Sequence, residues 1–330
     1  MAYTTIYDVA GAAKVSLATV SRVMNNPDKV NPETRERVLR VIKELGYRPN
    51  AIARGLASRK TTTVGIVMSD VTRASTSQLL GGIVDIARRY NYSIKIFSMA
   101  GESDVLDSIR TVVAEQVDGI IFLNDELDKR QMDLIMNYIK ESGIPVVLAN
   151  VIYDDEEVPS VIVDYKEAVY EVTKAMIEAG RKNIYCLSTV RHYSVNTKKE
   201  EGYAQAMEEA NLKPNIFRTS GDLDINRLHF EEFFKHNQVD GAIGVRDSIS
   251  VSFMNSCTKL GMKVPEQVMV CGMQNTKYAI LSRPTLTCID TPVYDIGAVS
   301  MRLLTKYMQH EEIENHKVVL PHKVIKRESM

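Results

Sequence analysis

From Thr61 onward the chain alternates short apolar runs with longer amphipathic stretches, and this constrains its fold more than any other feature. "TTVGIVM" precedes a helical periodicity over residues 77–90, "YSIKIFS" one over 104–116, and "GIIFL" one over 129–142, before "IPVVLAN" closes the set. The pattern restarts at "SVIVDY" and a helix over 167–179. It continues with "NIYCLS" and 198–210, "NIFRTS" and 227–236, "GAIGV" and 249–260, then "VMVCGM". Strand-length runs separated by helix-length segments predict an α/β fold with two parallel sheets, each covered on both faces.

The chain has 330 residues, enough for two or three domains, and its 45% hydrophobic and 25% charged residues are usual for a globular protein. No run approaches the roughly 18 apolar residues of a membrane span. The N-terminus "MAYTTIYDVAGAAK" carries a capping pattern and an acid where a signal peptide would be basic and then apolar. A cytoplasmic protein with no membrane partner is expected. Cys186, Cys257, Cys271 and Cys288 show no metal or redox spacing and read as buried thiols, and the six histidines sit apart. No metal and no cofactor is expected. There is no G-x-S-x-G elbow and no H-E-x-x-H, and Asp70 and Asp247 close predicted strands without a base or nucleophile beside them. No catalytic residue is assigned, and the chain is not expected to be an enzyme.

Charge is unevenly placed. Residues 1–60 carry 11 lysines and arginines against five acids, a net +6 that leaves −7 for the rest of a chain whose formal charge is −1. A basic head on an acidic body predicts that the head alone meets a polyanion. Three short helices are legible in residues 1–46. Thr5 and Asp8 form a capping-box-like pair, and Ile6, Val9, Ala10 and Ala13 follow at helical spacing. Ser16 is a good N-cap for "SLATVSRVMNN". In "NPET", Asn31 caps, Pro32 suits the first helical position, and Glu33 suits the positive end of the dipole. Val38, Ile42 and Leu45 form the apolar stripe of this third helix, and Gly46 ends it.

Within the second helix, Val20 with Val23 or Met24 faces inward, which turns Leu17, Ala18, Ser21, Arg22 and Asn25 outward. A DNA major groove admits such a helix, and the Arg22 fork can pair bidentately with a guanine edge. Leu17 and Ala18 suit thymine methyls or sugar carbons. Thr5, Ser16, Thr19, Asn25 and Tyr47 are placed to hold phosphates, which fixes register without reading sequence.

Taken together, "TIYDVA", "ATVSRV", "TRERVL" and "LGYRPNAIARGLAS" resemble the lactose/galactose repressor family of bacterial transcription regulators, and the resemblance runs over essentially the whole chain. It implies a helix-turn-helix DNA-binding domain over 1–46, a hinge over 47–60, and a two-lobed, periplasmic-binding-protein-like regulatory domain over 61–330. Lobe one is expected to comprise 61–160 and 292–323, and lobe two 161–291 and 324–330. "YDIGAVSMRLLTKYM" would cross back into lobe one and "KVIKRES" return to lobe two. Asn50 can cap a hinge helix of about eight residues, too short to be stable alone in water. By the resemblance, two hinges pair across a homodimer and enter the minor groove of a pseudo-palindromic operator in double-stranded DNA. Leu56 is the wedge between base pairs, and Ala53 and Arg54 line the contact. Tetramers of the family add a C-terminal heptad helix; this chain ends at "KVIKRESM", so a dimer is expected. Two positions depart from the family's pattern. Gly11 stands mid-helix, at a cost of roughly 1 kcal/mol against alanine. Lys14 stands where the turn needs φ > 0. The head is therefore expected to be less stable than usual.

In sugar-responsive relatives, aromatic rings and paired polar groups grip the ligand between the lobes. By resemblance the effector cleft here holds Ser75 and Thr76 at the aromatic positions. It keeps Asp70 and Asp247, with Arg246 where Asn is usual, Lys199 for Arg, and Gln274 for Asp. Such a cleft is expected to bind a free sugar weakly, and no aromatic is expected in it. By contrast "RPTLT" and "TPVYDIGAVSMRLLTK" resemble the catabolite control branch of the family, which is switched by the serine-phosphorylated phosphocarrier protein HPr. Asp295, Val299, Arg302 and Lys306 fall at i, i+4, i+7 and i+11 and share one helix face. A guanidinium and an ammonium on one face suit a phosphoserine. The resemblance assigns Tyr294, Asp295, Val299, Arg302 and Lys306 to the corepressor, with Asp70 holding Arg302 and Tyr90 adding a contact. The expected function is thus an allosteric repressor, or also an activator, of carbon catabolite genes. The alternative is a repressor controlled by an unidentified sugar or nucleotide in the cleft.

Overall fold

A computed structural model describes residues 4–47, 61–99, 105–191 and 193–330. The chain divides into two compact units, one ending at Thr61 and the other beginning at Thr62.

The N-terminal unit contains α1 (Ile6–Ala13), α2 (Leu17–Asn25) and α3 (Pro32–Glu44), with a 3-10 turn over Pro27–Lys29 between the last two. The N-caps expected for these three helices are present. The Thr5 side chain accepts from the Asp8 amide and Asp8 accepts from the Thr5 amide, closing a capping box. Ser16 accepts from the Thr19 amide and Asn31 from the Glu33 amide. Val9, Ala10, Ala13, Val20, Val23, Val38 and Val41 form one small core. The stripe on α3 differs from expectation. Val41 is buried and Leu45 is 39% exposed, because the helix stops at Glu44 and Leu45 follows as its cap. Lys14 sits at φ 51, in the left-handed region that costs a non-glycine residue most. Gly11 has open space around the position of a Cβ, so nothing local requires a glycine there.

The larger unit holds two six-stranded sheets. The first has the order β11-β5-β4-β3-β1-β2, built from β1 (Thr63–Met68), β2 (Ser93–Ser98), β3 (Gly119–Phe122), β4 (Val146–Ala149), β5 (Ser160–Val163) and β11 (Lys317–Leu320). The second has the order β12-β10-β9-β8-β6-β7, from β6 (Ile184–Thr189), β7 (Ile216–Thr219), β8 (Gly241–Gly244), β9 (Met269–Met273), β10 (Thr287–Asp290) and β12 (Lys323–Ile325). All pairings are parallel except that of β12 with β10. Parallel pairing needs crossovers, supplied by α4 (Ala74–Arg89), α5 (Val105–Ala114) and α6 (Lys129–Ser142) in the first lobe. The second lobe uses α7 (Tyr165–Glu178), α8 (Ser194–Glu209), α9 (Leu223–His236) and α10 (Asp247–Lys259), with the short α11 (Lys277–Leu281) after β9. Strands β3, β4, β5 and β8 are buried along their whole length, which is why they read as continuous apolar runs.

Two expected boundaries are corrected. "SVIV" does not open lobe two: β5 pairs with β4 and β11 in the first sheet, so lobe one extends through Val163. Lys323, assigned to lobe one, belongs to β12 of the second sheet. Helix α12 (Val293–Met308) packs on α4 and on β3, β4 and β5, back in the first lobe. Cys186, Cys257, Cys271 and Cys288 are buried free thiols. No helix among the described residues is long and apolar enough to cross a membrane.

Candidate functional sites

On the head, α2 exposes the face expected of it except at Ser21. Leu17, Ala18, Arg22 and Asn25 are exposed, while Thr19 and Ser21 are half-buried. The Asn25 amide donates to Ser21 Oγ at 3.3 Å, and the Ser16 and Thr19 hydroxyls lie 2.9 Å apart. Arg22 has no ion-pair partner among the described residues, so its fork is available to an outside acceptor. Tyr47 is half-buried against the head core. Tyr7 is 69% exposed on α1. Asn50, Ala53, Arg54 and Leu56 lie outside the described residues.

A second site lies where α12 crosses α4. The two backbones touch at paired glycines. A Cβ on Gly82 would stand 2.0 Å from the Tyr294 carbonyl, and one on Gly297 would stand 2.1 Å from the Leu79 carbonyl. That close crossing anchors the inner face of α12, where Ile296, Met301 and Leu304 are fully buried. The outer face carries exposed Tyr294, Asp295, Arg302 and Lys306, with Val299 half-buried among them. Tyr294 Oη donates to Asp85 Oδ2 at 2.8 Å, a bond that raises the phenol's pKa and ties the two helices at their surface. Arg88, Arg89 and Tyr90 are exposed at the end of α4. Arg302 has no partner among the described residues. The expected Asp70–Arg302 pair is corrected. Asp70 accepts from the Thr72 amide at 2.8 Å and from its hydroxyl at 2.6 Å, and it pairs with Arg73 at 3.5 Å. A cation three residues away in the same loop satisfies it, and that loop belongs to the cleft.

The third site is the inter-lobe cleft, and it is not the ring-free pocket expected from the sequence. Its inner cavity, about 60 Å³, is lined by Ser75, Thr76, Lys199, Arg246 and Gln274 as expected, but also by Arg73, Asp125 and Tyr193. Tyr193 is 4% exposed, and two guanidinium groups lie over its ring, Arg73 at 4.6 Å and Arg246 at 4.7 Å from the centroid. Arg73 also reaches Glu126, Asp125 at 3.5 Å, and the Tyr193 hydroxyl at 3.0 Å. Burial opposes the Arg73 charge, but Asp125, Glu126 and Asp70 outweigh it and raise its pKa. Burial lifts the Asp125 carboxyl despite Arg73, Lys199 and Arg246 nearby.

Lys199 is 2% exposed, lies over the Tyr165 ring at 4.8 Å, and donates to Asn196 Oδ1 and the Val245 carbonyl at 3.2 Å each. Burial, and then the Arg246 charge, push its pKa down to about 7. Asp247 plays a different part from the one expected. Its carboxylate accepts from the Thr276 amide at 2.5 Å and hydroxyl at 2.8 Å, and from Cys288 Sγ at 3.3 Å. Its oxygens therefore bind the start of α10 to the β9–α11 and β10 segments, although it borders an outer cavity of about 170 Å³ with Thr72, Ser248 and Gln274.

A pocket that engulfs a drug-sized ligand usually measures roughly 300–1,000 Å³. The inner cavity falls far short, and its cations already have carboxylate or ring partners. Among the described residues no cluster of histidine, cysteine or acids could hold a metal ion.

Two family models match the chain. Residues 61–328 match the one described as periplasmic binding proteins and sugar binding domain of LacI family, and residues 5–50 match bacterial regulatory proteins, lacI family. The chain is 39% identical over 331 residues to catabolite control protein A of Priestia megaterium, covering 98% of each. Among solved structures, transcription regulator CcpA of Lactococcus lactis superposes at a TM-score of 0.69 with 31% identity, over 81% of this chain and 98% of that one. The lac repressor dimer bound to operator and the anti-inducer ONPF superposes at 0.89 with 22% identity, over 99% of each.

Proposed function

This chain belongs to the LacI family of bacterial DNA-binding transcription regulators, and from that premise we propose that it is a dimeric repressor of carbon catabolite genes whose grip on its operator is raised by serine-phosphorylated HPr. The observation that carries this reading is the outer face of α12. Asp295, Val299, Arg302 and Lys306 form one solvent-facing row, and Arg302 stands unpaired beside Lys306. A phosphoserine dianion is met there by a planar fork and a point charge, and Val299 adds apolar contact. The cleft offers a poorer signal site, because its cations are engaged within the protein. Docking on α12 would favour one lobe arrangement of the dimer and so bring two hinges together on DNA.

Allosteric coupling is typically about 1–3 kcal/mol, or roughly 5–150-fold in affinity. Gel-shift titration should show the phosphorylated partner tightening operator binding within that range. Arg302→Ala should remove the enhancement and leave operator binding without the partner unchanged. A tenfold response to a small sugar, with none to the phosphoprotein, would overturn the proposal in favour of an effector in the cleft.

Arg22→Ala should weaken binding to a palindromic operator by about 1–3 kcal/mol and relax discrimination at one base pair of each half-site. Unchanged affinity across operator variants would remove Arg22 from the reading surface.

A further inference from the structure

We propose that the cleft is closed by the protein's own side chains, with Arg73 and Tyr193 acting as a latch between the lobes in the place a small effector would take. Arg73 comes from the loop after β1 and Tyr193 from the segment before α8, so their contact spans the two lobes. Three kinds of interaction meet there. The Arg73 fork donates to the Tyr193 hydroxyl, its Cζ lies 4.6 Å from the centroid of the Tyr193 ring, and its charge is held by Asp125 and Glu126 of the first lobe. From the second lobe, Arg246 covers the ring and Arg191 reaches Glu126 at 3.6 Å.

Backbone bonds cross at the same place. The Ser194 amide donates to the Asp125 carbonyl at 3.0 Å, and the Ile152 amide donates to Ser194 Oγ at 3.2 Å. Near the crossover, Tyr165 Oη donates to Asn150 Oδ1. A ligand that closes two lobes does so by bridging groups on both. Here the Arg73–Tyr193 contact, the Arg191–Glu126 pair and the Ser194–Asp125 backbone bond already bridge them, while Asp70, Asp125 and Glu126 hold the Arg73 charge from its own lobe; the inner cavity keeps only about 60 Å³ and the outer one about 170 Å³. Arg73 is therefore a specificity-determining residue: it makes closure independent of a small molecule. Signalling from outside the cleft, as proposed above, is what such a body requires, but the latch itself does not depend on that reading.

Hydrogen–deuterium exchange on the full chain, with no ligand and no phosphoprotein, tests the latch alone. The cross-lobe amides of Ile152 and Ser194 should be protected in the wild type. In Tyr193→Leu they should exchange at least about tenfold faster, while β3, β4 and β8 stay protected and so report an intact fold. Arg73→Gln combined with Glu126→Gln removes the cation and an acid together, which balances the local charge. It should give the same acceleration if Tyr193→Leu fails to fold. Fast exchange at Ile152 and Ser194 in the wild type would overturn the proposal. So would protection that appears only on adding glucose or glucose 6-phosphate. Loss of the phosphoprotein response with the latch intact would instead count against the reading of α12.

Discussion

Gly297→Ala is expected to destabilise the regulatory body by about 3 kcal/mol and, on the reading of α12 proposed above, to abolish the response to the phosphoprotein at the same time. The added methyl would lie 2.1 Å from the Leu79 carbonyl oxygen, 3.0 Å from its carbon and 3.2 Å from the Ile83 nitrogen. All three are backbone atoms of α4, so no side chain can rotate away. Relief requires the helices to separate, and overpacking of that kind costs about 1–3 kcal/mol, occasionally more. The partner glycine repeats the geometry from the other side: a Cβ on Gly82 meets the Tyr294 oxygen at 2.0 Å and the Ala298 nitrogen at 2.8 Å. Separating the helices would also break the Tyr294–Asp85 bond and displace Arg302 and Lys306 relative to the end of α4. Gly81 is the internal control. A Cβ there touches only the Tyr294 ring, at 3.7 Å, which is ordinary contact. Urea unfolding should place Gly297→Ala and Gly82→Ala well below wild type, with Gly81→Ala within about 1 kcal/mol of it. Equal midpoints for Gly81→Ala and Gly297→Ala would show that the crossing relaxes at no cost.

The fold is largely legible in the sequence because buried parallel strands and capped helices leave local marks. Helix α6 shows this. Asp128 and Gln131 close a capping box at one end and Gly143 ends the helix at φ 72, so residues 129–142 can be delimited without tertiary information. In the head, Thr5, Ser16 and Asn31 serve equally well. What sequence order does not carry is which sheet a strand joins. "SVIV" looks like the first strand of a new lobe, yet it pairs with β4 before it and with β11 from residues 317–320. Strand β11 leaves Val319 52% exposed, and such a half-exposed run has none of the continuous apolar character that marks the inner strands.

The helix faces are legible for the same reason the helices are. A 3.6-residue period fixes which side Arg22, or Arg302 and Lys306, must occupy once the apolar stripe is known. The cleft is not legible, because its contacts are long-range. Arg73 and Tyr193 are 120 residues apart, and neither lies in a motif. Only "FLNDE", in which three polar residues follow one leucine beyond the end of β3, hints that Asp125 and Glu126 sit near a strand's carboxyl end. "SDVTRASTSQ" itself holds no ring; the ring of the cleft, Tyr193, comes from the other lobe.

Lys199→Met is expected to remove a rise of stability with pH that begins near pH 7. An unperturbed lysine has a pKa of about 10.4, and burial beside Arg246 brings Lys199 down to about 7. Between those values the unfolded chain holds a proton at this position that the folded chain does not. Stability therefore rises with pH across that window, by at most about 1.4 kcal/mol per pH unit from this group. Below about pH 7 the lysine is charged in both states, and the full cost of burying it is present. From pH 6 to pH 9 the wild type should thus gain about 3 kcal/mol relative to Lys199→Met, which has no proton to exchange. Taking the difference between the two proteins cancels the histidines, and likewise the buried thiols and phenols, whose raised pKa values act in the opposite direction at alkaline pH. The groups facing Lys199 make the sign robust. Arg246 and Arg73 oppose its charge, and Asp125 favours it but is itself pushed toward the neutral form by burial. Urea unfolding of both full-length proteins across that pH range is the measurement. Parallel stability curves would mean that Lys199 keeps its proton in the folded cleft, with Asp125 as a fully ionised partner.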